Sequence, residues 1–316
     1  MSEVLARQFV FVVGAPRSGT TWLHRMLAAH PDVAAMEQEE LTVFTRYAGT
    51  WLRNYQQEQR AMREGRWRQG LPTIWDEPEF DRAQLRFVGE VYAKVLARNP
   101  TATHILDKSP NYANHLHVVD RYLPTSRIVH LIRDGREVAV SMMSANERIG
   151  HSPGDVRTAA REWHRCVTNA QAYGKKLGKQ RYLEVRYDKL MGDTTEELRR
   201  IHDFMGVTSS NDDVTRVVAA YHISRNPVSR GDERNKALRQ IPGAIWRIRL
   251  SLAQRRTFDR IAGDLLHRLG YATPYWWALG PVQRLLMIPY PILVRLGRSL
   301  GAIGKAWSGP VEQRLP

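Results

Sequence analysis

The chain carries a single cysteine, Cys166, in 316 residues. No internal disulfide is available to it, and a reducing compartment is the natural setting. Metal-ligand spacing is missing too: His115 and His117, two apart, suit a helix face better than a ligand pair, and no metal is expected. The opening, Met1 to Gln8, has too short an apolar stretch for a signal peptide. Near the other end, the apolar run Leu285–Val294 is broken by Pro289 and Pro291 and bounded by Arg284 and Arg295, which argues against a spanning helix. Acidic residues are in deficit, 32 Asp and Glu against 47 Lys and Arg, a net charge of +15. Such an excess attracts a multiply charged anion, an anionic acceptor or a membrane face. Nucleic acid would be attracted equally, but zinc spacings, RNP motifs and basic-aromatic repeats are absent, and no nucleic-acid partner is expected.

What is present begins at Phe9-Val10-Phe11-Val12-Val13, an apolar strand that breaks on Gly14-Ala15-Pro16-Arg17-Ser18-Gly19 and restarts as a helix at about Thr20. Gly14 and Gly19 permit the turns that bring successive amides inward, and the helix aims its positive end at an anion. The spacing G-x-x-x-x-G is that of a phosphate loop, yet Thr20 stands where a nucleotide triphosphatase has its lysine. The cation is instead Arg17, inside the loop, whose planar fork suits a delocalised oxyanion hung beyond a 5′-phosphate.

Two further segments repeat the pattern of strand, loop and helix. Arg127–Ile132 reads as a buried parallel strand, followed by Arg133-Asp134-Gly135-Arg136 and a helix containing Ser141, so that Arg133 and Ser141 can close on one phosphate. The bland alternatives are a structural ion pair between Arg133 and Asp134, or Asp134 as a magnesium-binding acid. Between the two lies Thr103–Tyr112, with Lys108-Ser109-Pro110 where a strand's carboxyl end is expected, the edge on which α/β sites lie.

The run P-R-S-G-T-T-W-L, with I-R-D-G-R-x-x-x-x-S and K-S-P-x-Y, resembles the sulfotransferases that use 3′-phosphoadenosine 5′-phosphosulfate. The Golgi heparan and tyrosyl-protein branches are nearer than the cytosolic steroid and phenol branch, whose histidine base is replaced here by Pro110. The resemblance covers about residues 9–44 and 103–271. It implies that Ser18, Gly19, Thr20 and Thr21 hold the 5′-phosphate and that Arg133 with Ser141 holds the 3′-phosphate. Trp22 would stack on adenine and Tyr187 would line its pocket. Arg17 and Lys108 would balance charge on the transferring group. In those branches a glutamate soon after the first helix takes the acceptor proton. Glu40 best fits the Glu-Glu-apolar-x-x-Phe ending, with Glu39 and Glu37 behind it. A donor-binding loop is only loosely matched around Ser229-Arg230-Gly231 and Lys236, followed by a Trp246-bearing loop and a last helix ending near Tyr271.

The expected architecture is α/β: a phosphate-loop-type central parallel sheet flanked by helices, with a helical insertion at about 45–100 and a helical, amphipathic C-terminal tail. The catalytic domain is assigned to 1–274 and a basic amphipathic tail to 275–316. Tryptophans 51, 67 and 75 in the insertion belong to a core, an acceptor pocket or a lid. The tail, within 275–307, lies on anionic lipid, or packs on the body or a partner chain. The implied reaction transfers the sulfuryl group to a hydroxyl of a lipid, glycolipid, sugar, small metabolite or peptide, without metal. The expected setting is a bacterial cytoplasm, peripheral on the inner face of the membrane. Two other readings stay open: a phosphate-loop kinase or triphosphatase, and a membrane-docked nucleotide-binding module without catalysis.

Overall fold

The computed structural model describes residues 2–37, 40–221 and 245–278. Glu39, Arg230, Lys236 and the tail from 279 onward lie outside the described residues. A short helix α1 (Ser2–Leu5) leads into strand β1 (Gln8–Gly14), then α2 (Thr20–Ala28) and β2 (Val33–Ala35). The insertion follows: a π-helical turn Val43–Tyr47 runs into α3 (Ala48–Arg63), and a loop with one 3-10 turn leads to α4 (Glu77–Leu96). Next come β3 (His104–Lys108), α5 (Leu116–Tyr122), β4 (Arg127–Ile132), α6 (Gly135–Ile149), α7 (Val156–Leu177) and β5 (Tyr182–Arg186). The described helices end with α8 (Tyr187–Gly192), α9 (Thr194–Met205), α10 (Asn211–Tyr221), α11 (Ile245–Arg249) and α12 (Leu252–Arg268). Trp246, expected on a loop, is thus helical. Among the described residues no helix is long and apolar enough to cross a membrane.

All strand pairs are parallel, in the order β2-β3-β1-β4-β5. The chain leaves central β1 toward one edge, then crosses to the other after β3, so its direction of progress reverses beside β1. In such sheets ligands sit at that reversal, outside the strands' carboxyl ends. The reason for burial on both faces is legible in β1. Val10 and Val12 pack with Leu23, Met26 and Leu27 of α2 and with Ile201 and Met205 of α9. On the opposite face, the alternating Phe9 and Phe11 meet an aromatic layer: Phe11 lies edge-on to Phe44 and Tyr112, and Phe9 edge-on to Tyr92 of α4.

The chain divides into two compact units, Met1–Ala262 and Gly263–Pro316. Within the second, the end of α12 is followed by Gly270 at φ +73°, and His267 Nε2 lies 3.1 Å from the Thr273 carbonyl oxygen. The site described below belongs to the first unit.

Candidate functional site

Each of the five strands ends in a segment that carries a candidate residue. β1 runs into the glycine loop, β2 toward Glu40, β3 into Lys108-Ser109, β4 into Arg133-Asp134 and β5 into Tyr187. Parallel register sets these ends side by side: Val12 pairs with Lys108, Gly14 with Leu131, and Ile132 with Arg186.

The glycine loop is held in a conformation few other sequences adopt. Gly19 caps α2 at φ +102°, and a Cβ there would stand 2.7 Å from the Tyr187 ring. A Cβ on Gly14 would meet the Leu131 carbonyl oxygen at 2.6 Å. Arg17 itself lies at φ 70°, in the left-handed region that an arginine enters only when its surroundings require it. The Ser18 amide, expected on the phosphate, donates instead to the Ala15 carbonyl at 3.1 Å. The Gly19, Thr20 and Thr21 amides lie at the first turn of α2, where N–H groups lack intrahelical acceptors. The Ser18 side chain is 1% exposed, and its Oγ has no hydrogen-bond partner among the described residues. A buried hydroxyl left so is costly unless something completes it.

The two phosphate motifs meet directly. Arg17 Nε lies 3.4 Å from Ser141 Oγ, a pair 124 residues apart in sequence. Arg133 rests its guanidinium 4.3 Å over the Tyr187 ring, with the Glu137 carboxylate 3.6 Å away. Trp22 is buried, edge-on to Tyr187 at 5.8 Å, and its indole N–H donates to the Tyr221 carbonyl at 2.8 Å. Asp134 neither pairs with Arg133 nor stands free. It caps α6 by accepting from the Arg136 amide, and it holds the Arg136 guanidinium through both oxygens.

On the other side of the glycine loop, Lys108 Nζ donates to Glu40 Oε1 at 2.8 Å and the Ser109 hydroxyl lies 3.3 Å from Oε2. Lys108 is 2% exposed and Glu40 37%, so a buried cation meets a carboxylate open to an incoming molecule. Glu37 is described but shows no such pairing. Beneath Lys108, Asp107 is buried and accepts from the Tyr92 and Tyr112 hydroxyls at 2.6 and 3.0 Å and from the Lys108 amide at 2.7 Å. Burial raises the Asp107 carboxyl above its usual value, with the three donors and the Lys108 charge opposing.

Several contributors escape a sequence reading. Ser109 stands in the K-S-P motif with no role assigned by sequence. Trp163 of α7 donates its indole N–H to the Arg133 carbonyl at 3.1 Å and occupies the space a Cβ on Gly135 would need. Glu137 accepts from the Ile245 and Trp246 amides at 3.1 and 3.3 Å, tying α11 to the Arg133 turn, and burial raises its carboxyl. Nothing short of the fold reveals these long-range contacts. Among the described residues no group of three or more His, Cys, Asp or Glu is placed to share a metal.

A parallel sheet with a lysine-free phosphate loop at its reversal point, and with Arg17, Arg133 and a Lys108–Glu40 pair on the adjoining strand ends, defines an α/β protein of the phosphate-loop type. The sulfotransferase family model matches residues 9–212, and the chain belongs to that family. Protein-tyrosine sulfotransferase 2 of Gallus gallus is 25% identical over 275 residues, 86% of this chain and 68% of that protein. Protein-tyrosine sulfotransferase 1 of Danio rerio is 27% identical over 271 residues, 83% of this chain and 72% of that protein. The sulfotransferase domain of the Synechococcus PCC 7002 olefin synthase shares the fold, with a TM-score of 0.52 at 22% identity, over 84% of this chain and 96% of that one. The protein is accordingly an enzyme, a sulfotransferase, and the kinase and non-catalytic readings fall away.

Proposed function

We propose that the enzyme transfers the sulfuryl group of 3′-phosphoadenosine 5′-phosphosulfate to an acceptor hydroxyl that gives its proton to Glu40. The observation that carries this is the Lys108–Glu40 pair at 2.8 Å on the strand ends beside the glycine loop. The donor fits the residues present. The unmatched Ser18 Oγ, the Gly19–Thr21 amides and the Thr20 and Thr21 hydroxyls take the 5′-phosphate. Arg133 and Ser141 take the 3′-phosphate, and Trp22 and Tyr187 flank the adenine.

In the transfer, the acceptor oxygen forms a bond to sulfur as the bond from sulfur to the 5′-phosphate oxygen breaks, leaving adenosine 3′,5′-bisphosphate. The hydroxyl proton passes to the Glu40 carboxylate, and Ser109 orients that carboxylate through Oε2. Arg17 and Lys108 meet charge developing on the bridging and equatorial oxygens; such aimed, preorganised charge is usually the largest catalytic contribution. No metal is needed in this scheme. A cytoplasmic setting fits a chain with one cysteine and this donor.

The acceptor is a hydroxyl reached over the insertion at 45–100. Relatives named for protein tyrosine support a tyrosyl hydroxyl. The exposed aromatic side chains of the insertion, Tyr47, Trp51, Trp67 and Trp75, support a lipid-borne one. A radiolabelled-donor assay with sulfatable tyrosyl peptides beside hydroxylated glycolipids tests the reading. Label on either acceptor that vanishes in Glu40→Gln supports it, whereas equal label with that variant removes Glu40 from the role of base.

A further inference from the structure

Six of the eight large apolar side chains most exposed on the described residues lie between 47 and 75. Four of them, Trp67, Leu71, Ile74 and Trp75, sit in the turn between α3 and α4, and Ile74 is 72% exposed. Residues 63–71 and 73–76 are exposed without a break other than Pro72, so this turn stands out into solvent. It is nonetheless a built element. The Glu58 carboxylate packs where a Cβ on Gly70 would go, and Gly70 lies at φ +83°. The Tyr55 hydroxyl donates to the Trp75 carbonyl at 3.0 Å, while Tyr55 and Phe80 stack 4.2 Å apart beneath it. Asp76 closes the turn with a capping box at the start of α4. The backbone is thus fastened on α3 and α4 while the apolar side chains are presented outward.

The end of α3 and the turn carry four arginines, Arg60, Arg63, Arg66 and Arg68, with Glu64 paired to Arg66 at 2.5 Å, and the acidic residues Asp76, Glu77 and Glu79 follow where α4 begins. All four arginines are exposed, and the Arg66 guanidinium lies 5.2 Å over the Trp67 ring. Tryptophans and a branched aliphatic set among arginines match the chemistry of a bilayer's interfacial layer. There the indoles settle at headgroup depth, the aliphatic chain goes deeper, and the guanidinium groups meet anionic lipid. A soluble protein rarely leaves such a patch uncovered.

We infer that the turn between α3 and α4 is a docking element for an anionic lipid surface, with Trp67, Leu71, Ile74 and Trp75 entering the interface and Arg60, Arg63, Arg66 and Arg68 facing acidic headgroups. It does not depend on the basic tail beyond 278. Helix α3, 16 residues and about 24 Å long, separates this turn from the Glu40 segment that precedes the helix.

The test is co-sedimentation of the full chain with vesicles of phosphatidylcholine alone and of phosphatidylcholine with phosphatidylglycerol. The substitutions lie on exposed side chains, and an unchanged thermal melt verifies folding. Trp67→Ser with Ile74→Ser lowers the partition onto phosphatidylglycerol vesicles at least tenfold. Arg63→Gln with Arg68→Gln lowers it by roughly fivefold per arginine at low salt and flattens its salt dependence. Binding by the parent chain that both pairs of substitutions leave intact assigns membrane contact to another element and overturns the inference. So does an absence of vesicle binding, or a loss of self-association in the Ser variant, which would make the patch a contact between protein chains.

Discussion

At the residue scale the decisive arrangement is Lys108 buried against a half-open Glu40. A buried cation whose partner is removed has lost its compensating charge, and the pair by itself adds little net stability. Glu40→Gln keeps the shape and removes the base. We expect kcat to fall by about 10²- to 10⁴-fold with donor affinity unchanged, read by steady-state assay and calorimetry; an unchanged kcat would contradict the role. Asp107 acts one step back. Asp107→Asn presents an amide N–H₂ to the Tyr92 and Tyr112 hydroxyls and cannot serve all present donors. The expected cost is about 1–3 kcal/mol of stability, measured by denaturant titration, with a loss of rate as the Lys108 backbone loosens. The sequence made Lys108 and Glu40 visible through motif position, but not Asp107 or Ser109, whose parts depend on what they touch.

At the scale of elements, the strands were the most legible part. Phe9–Val13 and Arg127–Ile132 are continuous apolar runs of the kind a doubly covered parallel strand needs, and the structure places β1 and β4 there within a residue or so. The glycine loop was legible in its spacing but not in its bonding, since the Ser18 amide turns back on Ala15. Helix α11 was read as loop because five residues give too little periodicity to register. Gly19→Ala tests the loop itself: a positive φ and a Cβ 2.7 Å from the Tyr187 ring oppose the change together. Affinity for adenosine 3′,5′-bisphosphate is expected to drop at least tenfold by calorimetry, and unchanged affinity would separate the loop from the donor. Trp163→Phe deletes the donor to the Arg133 carbonyl while keeping an aromatic ring against Gly135, and should weaken the same nucleotide more modestly.

For the whole molecule, the basic excess and a central parallel sheet flanked by helices were foreseeable, whereas the strand order and the exposure of the turn between α3 and α4 were not. Tryptophans among arginines read equally as core, acceptor pocket or lid until exposure is known. Buried histidines set the acid limit. Burial pushes His130 down to about 3 and His202 down to about 4. Their depressed values mean that the unfolded chain binds more protons between those values and about 6.5. Folding stability is therefore full above about pH 6.5 and is lost as pH falls below it. The raised carboxyls of Asp107 and Glu137 act in the opposite sense in their own acid window. A melting-temperature series from pH 7.5 to 4.5 should decline below about 6.5, with the onset blunted in His130→Gln; a flat series would contradict the histidine account.

The proposed metal-free site for a 3′-phosphorylated adenine nucleotide, spanning Arg17 to Arg133, can be probed by calorimetry in EDTA. Adenosine 3′,5′-bisphosphate would be titrated beside adenosine 5′-phosphate, into the parent chain and Arg133→Ala. A clear preference for the bisphosphate is expected, with its near-disappearance in Arg133→Ala. Equal affinity for the two nucleotides, or binding only of ATP with magnesium, would contradict it.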